Sequence, residues 1–444
     1  MKLERVRAIA DAVLNEGYIL YPYRPTTMKN RSRWTFGGVY PHAWFESTHG
    51  ADPFELRTEF LLQGGENTQI EACLRFLQPL SREVGRLETP LREWPQGAVP
   101  AYTPVPMLSI DEQPYYTWQE AVERELLFDA LSLVELARRP AVLPFACPQL
   151  HERTPLNDSA GVIRGLLTRR QRAQCGNLHL SANALAHDVW RLSARVENST
   201  PMDPATASTR EEANLYSFAS THLVLAATGG AFVSQQDPPD SLSDANAACT
   251  NHGLYPVLAG ETGSRDLMLA APIILYDHPE VAPQSPGDFC DATEIDELLS
   301  LTILALTDDE KREMAAGDPR AAALLERTER LSPDDFQRLH GTLRRTPSAA
   351  APRLVSLERG GRRLCVGDRV LLKPHPRGDV FDLVLANKTA VIESIERDFE
   401  DRVHVAVTID ADPGRAWGLE RMPGHRFFFA PEEIETEEEA RMQA

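Results

Sequence analysis

Asp277, His278, Asp288, Asp291 and Glu294 set one imidazole and four carboxylates close together in the sequence. Several oxygens with one ring nitrogen are donors that a hard or borderline divalent cation takes. Their spacing matches no metal motif, and a plainer reading competes. In it Asp277 and Asp288 cap turns, while Asp291 and Glu294 favour the positive end of a following helix. The plainer reading is preferred here. Two Cys-x-x-x-His pairs, Cys147 with His151 and Cys175 with His179, would together supply the two thiolates and two imidazoles of a tetrahedral zinc site. Neither pair has the local context of a zinc knuckle, and cysteine is as readily a small buried residue. No resident cofactor is therefore expected, with a bound metal ion at one of these clusters as the alternative. A phosphate-binding glycine loop, a dinucleotide fingerprint, HExxH, CxxC and a G-x-S-x-G elbow are all missing from the sequence.

A different chemistry, recognition, is suggested nearer the N-terminus. Tyr21, Tyr23, Arg24, Lys29, Arg31, Arg33 and Trp34 form a basic, aromatic island with no acid before Glu46. Tyr, Trp and Arg are the residues that interfaces favour. The alternative is a solvated loop.

The elements that must hold these groups can be sketched from pattern. Leu3 to Glu16 has helical apolar spacing and ends at Gly17. Leu56–Gln63 and Gln69–Leu77 read as strands paired around the GGENT turn. Thr117, with Glu120 three residues on, predicts a capped helix whose stripe is Val122, Leu126, Ala130, Leu131 and Val134, stopped by Pro140. Strands are expected over 161–168 and 190–197. A second capping box, Thr209 with Glu212, opens a helix before the strand-prone run THLVLAATGGAFVS. Strand and helix then alternate over 210–306, an α/β arrangement in which Leu267–Tyr276 is a buried strand. Thr307 with Glu310, Asp318 before Pro319 and Ser332 before Pro333 punctuate a series of short helices. Past the Pro/Ala-rich stretch at 346–352, short strands with regular turns predict a small barrel.

The fold class expected is therefore α+β and multi-domain: a β-rich N-terminal region (1–205), a mixed α/β then helical middle (206–346), a linker (347–361), a small C-terminal antiparallel β-barrel (362–435) and an acidic tail (436–444). A chain of 444 residues is too long for one ordinary core. Its net charge of −19 opposes non-specific contact with nucleic acid or anionic lipid. Residues 362–433 carry 11 Lys/Arg and 13 Asp/Glu, which is not the basic groove of a single-strand binder. Six scattered cysteines fit a reduced cytoplasmic protein. No apolar run reaches the roughly 18 residues of a membrane span.

The runs YILYPYRPTTMKN, GGAFVSQQDPP, NHGLYPVLAG, APIILYDHPEVAPQSPGDFCDATEIDELL and PGHRFFFAPEEIE resemble an uncharacterised family associated with nickel–iron hydrogenase gene clusters. The likeness extends from Tyr18 to Glu435. It carries no assigned catalytic residues and implies a neighbourhood, hydrogenase biogenesis or assembly, with a hydrogenase subunit or maturation protein as partner. The chain is thus expected to be a non-catalytic accessory protein. A metal-dependent enzyme or metal carrier using the Asp277–Glu294 loop is the alternative.

Overall fold

The computed structural model describes residues 3–27, 30, 36–203, 207–281, 296–332, 356–359, 362–373, 388–397, 403–409 and 427–436. The chain forms two compact units, Met1–Leu331 and Ser332–Ala444.

The larger unit is built on one strand. β1 (Glu55–Leu91) runs for 37 residues, about 120 Å if straight at ~3.3 Å per residue. No core of this size could cover that length. Breaks in register at Gly64/Gln69, Ile70/Ala72, Arg75/Leu77 and Arg86/Leu91 interrupt its ladders, and such bulges bend a strand and raise its twist. The strands that follow are β2 (Tyr102–Val105), β3 (Met107–Ile110), β4 (Gln113–Tyr116), β5 (Trp118–Ser132), β6 (Ala141–Cys147), β7 (Leu150–Asn157), β8 (Ile163–Gln171), β9 (Gln174–Ala184), β10 (Val189–Asn198), β11 (Ala219–Phe232), β12 (Tyr255–Leu258) and β13 (Leu267–Ala271). β1 changes neighbours along its length: β10 at 55–63, β11 at 62–77, β5 at 69–82, β8 at 80–91 and β2 at 84–87. The main path of the sheet is β12-β13-β11-β1-β10-β9-β6. Phe145 from its edge strand β6 lies 5.9 Å from Phe76 of β1 and 5.4 Å from Phe218, so the sheet curls around one core.

Three expectations are corrected. The 117–134 helix is strand β5. Its sequence also alternates, with Val122, Arg124, Leu126 and Phe128 set against Glu123, Glu125, Leu127 and Asp129. Pairing with β1 selects the two-residue period over the helical one. Thr117 caps no helix: its hydroxyl donates to the Val105 carbonyl at 2.7 Å and accepts the Val84 N–H at 3.0 Å. Glu120 meets Arg82 at 2.7 Å and Arg169 at 2.6 Å. Second, the GGENT segment is no hairpin turn but an irregularity inside β1, facing Gly229 and Gly230 of β11, with the Thr68 hydroxyl donating to the Gly229 carbonyl at 2.8 Å. Third, β11, β12 and β13 pair antiparallel within the sheet that β1 and β10 share. The link from Leu258 to Leu267 is too short for the crossover a parallel pair requires.

The helical punctuation is as expected where it is described. Thr209 and Thr307 each form a capping box, with Glu212 and Glu310. Asp318 caps the helix Pro319–Glu329 by accepting the Arg320 N–H at 2.8 Å. The helix after Ser332 lies outside the described residues. Among those residues no helix is long and apolar enough to cross a membrane.

In the smaller unit β14 (Ser356–Arg359) and β15 (Arg362–Cys365) form a hairpin. β16 (Arg369–Leu372), β17 (Thr389–Arg397), β18 (Val403–Ile409), β19 (Phe427–Phe429) and β20 (Ile434–Thr436) make an antiparallel sheet in the order β19-β18-β17-β16-β20. Val370, Leu372, Ile392, Ile395, Val405, Val407 and Ile434 are its buried centre.

Candidate functional site

The chain leaves the sheet at Ala271, five residues before the expected strand end. Pro272 has no N–H to extend the ladder. The run Ile273–Tyr276 then alternates across the surface. Ile273 and Leu275 pack on the cluster formed by Val224, Val257, Leu267 and Leu269. Ile274 and Tyr276 point away, 79% and 74% exposed.

This loop is fastened by hydrogen bonds at Leu275, Asp277 and His278. The Gln236 side chain donates to the Leu275 carbonyl at 2.5 Å and accepts the Asp277 N–H at 3.2 Å. Asp277 accepts the Leu258 N–H at 2.7 Å on one oxygen and the Ser234 hydroxyl on the other. Ser234 Oγ in turn accepts the N–H groups of Gln236, at 3.1 Å, and Asp237, at 2.9 Å. The His278 N–H donates to the Leu258 carbonyl at 2.7 Å. His278 has φ +53°, a left-handed conformation uncommon outside glycine. Its Nε2 accepts the Gly263 N–H at 3.3 Å, which places the ring proton on Nδ1. The ends of β11 and β12 thus clamp the loop from two sides.

What this arrangement can do follows from what is left over. Both Asp277 oxygens already hold donors, and one His278 nitrogen does. Among the described residues the loop's exposed side chains without work inside the fold are those of Ile274 and Tyr276. Exposed apolar side chains of this size on a fixed backbone can bind a partner with little ordering cost. From Ser234 to Glu280 the sequence holds seven acids and one basic residue, Arg265, so the segment that carries the apolar pair is net acidic.

Asp288, Asp291 and Glu294 lie outside the described residues. Of the N-terminal island, Lys29, Arg31, Arg33 and Trp34 do so too. Tyr23 is fully buried, with its ring centroid 6.1 Å from that of Tyr21. Arg24 pairs with Glu310 at 2.9 Å and approaches Glu313 at 3.8 Å. The described part of the island is therefore packed on the helix Asp308–Gly317. The two Cys/His pairs are spread over three strands, β6, β7 and β9. Cys147 points into the core, where burial raises its thiol pKa. Cys175 is opposite Ala146 and donates to the Ser199 carbonyl at 3.4 Å. His179 bonds Glu197 at 2.8 Å, and His151 lies on β7 opposite Arg170. Among the described residues no three His, Cys, Asp or Glu side chains gather as a metal site.

Ile274 and Tyr276 were not singled out by residue type, because the unbroken apolar run reads as core. The signal available was Pro272 ahead of a four-residue run with a polar end. No protein-family model matches the chain, and no curated protein is significantly similar to it.

Proposed function

We propose that this is a non-catalytic accessory protein that binds another protein through the loop Pro272–His278. The observation that carries the reading is the pair Ile274 and Tyr276, about three-quarters exposed on a loop held by six hydrogen bonds from neighbouring segments, three to its backbone and three to the Asp277 and His278 side chains. A flexible surface loop would have no need of that scaffold, and a buried strand would not turn these two side chains outward. The acidic segment that carries the pair favours a partner that offers an apolar recess rimmed by Lys or Arg. The resemblance to a hydrogenase-associated family supports a hydrogenase subunit or maturation protein in the cytoplasm as that partner.

The test is co-purification from a host that makes the hydrogenase, comparing the native chain with Ile274→Ser/Tyr276→Ser. Recovery of a hydrogenase component by the native chain and its loss with the variant is the expected result. Equal recovery by both would remove the loop from the reading. Recovery of none by the native chain would remove the partner.

We also propose that the smaller sheet closes as a barrel. Five strands laid flat put β19 and β20 about 19 Å apart at ~4.8 Å per neighbour. Only residues 430–433 join them, and three of those are a 3₁₀ turn. That link reaches about 17 Å at most when extended, and less when wound. The edges must curl towards each other.

A further inference from the structure

The helix Arg7–Asn15 covers the face of β1 and β11 that points away from the main core. Ala10 and Val13 pack in one cluster with Cys73 and Val224, and Leu14 packs in another with Leu77 and Ala219. Between these two apolar rows lies a polar one. Arg75 of β1 is the Cα partner of His222 in β11 and of Glu125 in β5, so the three side chains share this face. His222 is fully buried and Arg75 is 2% exposed. Arg75 Nη2 donates to Asp11 of the helix at 2.6 Å. Its Nε lies 3.4 Å from Glu125, and Nε and Nη1 make no hydrogen bond among the described residues; nor does His222 Nε2. Arg7, one turn before Asp11, reaches Glu125 at 3.2 Å. Two basic side chains are thus sealed under a nine-residue helix with their polar atoms only partly matched.

A second positive charge on this row is costly. Of the charged groups facing His222, Arg75 opposes its protonation and Asp11 favours it. Glu125 is divided between Arg75 and Arg7. Of the titratable neighbours, Cys73 is held neutral by burial, its thiol pushed up to about 12, and Tyr18 donates its hydroxyl to Asp318 at 2.7 Å. Burial, ahead of these charges, lowers the His222 pKa to about 4 from 6.5. Lifting the helix returns water to the ring and to Arg75. The lifted state then takes the proton at the ordinary pKa, and its population grows as pH falls from 6.5 to 4. This helix is the element that can lift. Val6 at its N-cap offers no side-chain hydrogen bond, and nine residues do not hold a helix without the surface beneath. We propose that the helix Arg7–Asn15 is an acid-released cover, with His222 beneath it as the sensor. Ile273 and Leu275 sit on the same cluster as Ala10 and Val13, so release bares apolar surface beside the loop at 272–278. The proposal holds whether or not that loop binds a partner.

The experiment is hydrogen exchange of the full chain at pH 7, 6 and 5, read by mass spectrometry on peptides covering 7–15 and 190–197 and divided by the intrinsic exchange rate at each pH. Strand β10, at 190–197, reports unfolding of the whole unit. The helix should open at least roughly tenfold more often than β10 at every pH. Its opening constant should rise about 20-fold from pH 7 to 5, as one proton bound at 6.5 when lifted and at about 4 when closed requires. His222→Asn, which keeps a donor for Ser220, should hold that rise below about twofold; His222→Gln takes its place if the asparagine variant does not fold. A helix that opens no more often than β10 would mean that only global unfolding frees His222. Opening that does not change with pH, or the same rise in the variant, would mean that lifting the helix does not uncover the ring. Each of these results would overturn the proposal.

Discussion

Acidification should destabilise the larger unit through one histidine. His222 of β11 is fully buried and is the Cα partner of Arg75 in β1. Its Nδ1–H donates to the Ser220 carbonyl at 2.9 Å, and Nε2 has no partner among the described residues. Burial, first, pushes its pKa down to about 4 from 6.5; the Ser220 bond and Asp11 oppose that shift, and Arg75 adds to it. A depressed histidine pKa means that the unfolded chain binds the extra proton between pH 6.5 and 4. Stability therefore falls as pH drops through this window and levels off below pH 4. One proton bound at 6.5 when unfolded and at about 4 when folded gives a loss of about 2 kcal/mol by pH 5 and about 3 kcal/mol by pH 4. The assay is urea unfolding followed by tryptophan fluorescence, since five of the six tryptophans lie in Met1–Leu331. Carboxylates also titrate near the bottom of this range, so the readout is the difference from His222→Asn, which keeps a donor for Ser220 and has no titration of its own. The native chain should lose about 2 kcal/mol more than the variant between pH 7 and 5. Parallel curves would refute the reasoning and mean that His222 protonates without cost in the folded state.

Gly176→Ala should destabilise by about 1–3 kcal/mol in the same assay, because a Cβ there would stand 2.5 Å from the Glu197 carbonyl oxygen and 2.6 Å from the Phe145 ring. Asp318→Ala should lower stability by about 2 kcal/mol, since the buried carboxylate caps Arg320 and also accepts the Tyr18 hydroxyl at 2.7 Å. Tyr18→Phe should recover only the second part of that loss, which a double-mutant cycle measures. Burial by itself would raise the Glu120 pKa, yet Arg169 and Arg82 hold it below the usual value. Its stabilisation is present above the ordinary carboxylate pKa and disappears as pH falls through the lowered one. At neutral pH Glu120→Gln should cost about 3 kcal/mol by leaving the nearly buried Arg82 unmatched, and the cost should shrink in acid.

The parts of this fold that could be read in the sequence are those whose cause lies within a few residues. Thr209, Thr307 and Asp318 cap helices through N–H groups two or three positions away, so spacing alone reveals them. The second ligand of Asp318, Tyr18, is 300 positions distant and leaves no local trace. β5 shows the opposite limit. Its residues satisfy both a helical stripe and a two-residue alternation, and only the presence of β1 decides between them. The same dependence explains the candidate site. Asp277 and His278 looked like ligands because carboxylate and imidazole side chains can be; their partners Leu258, Ser234 and Gly263 are fixed by where β11 and β12 end. In Ile273–Tyr276 every residue is apolar or aromatic, so alternation leaves no polarity contrast to read. Which two of the four face solvent is settled by the exit from β13 at Ala271. Had the ladder continued to Tyr276, both sides would be covered. The patch exists because a proline ends the strand early while Gln236 and Asp277 keep the chain extended beyond it.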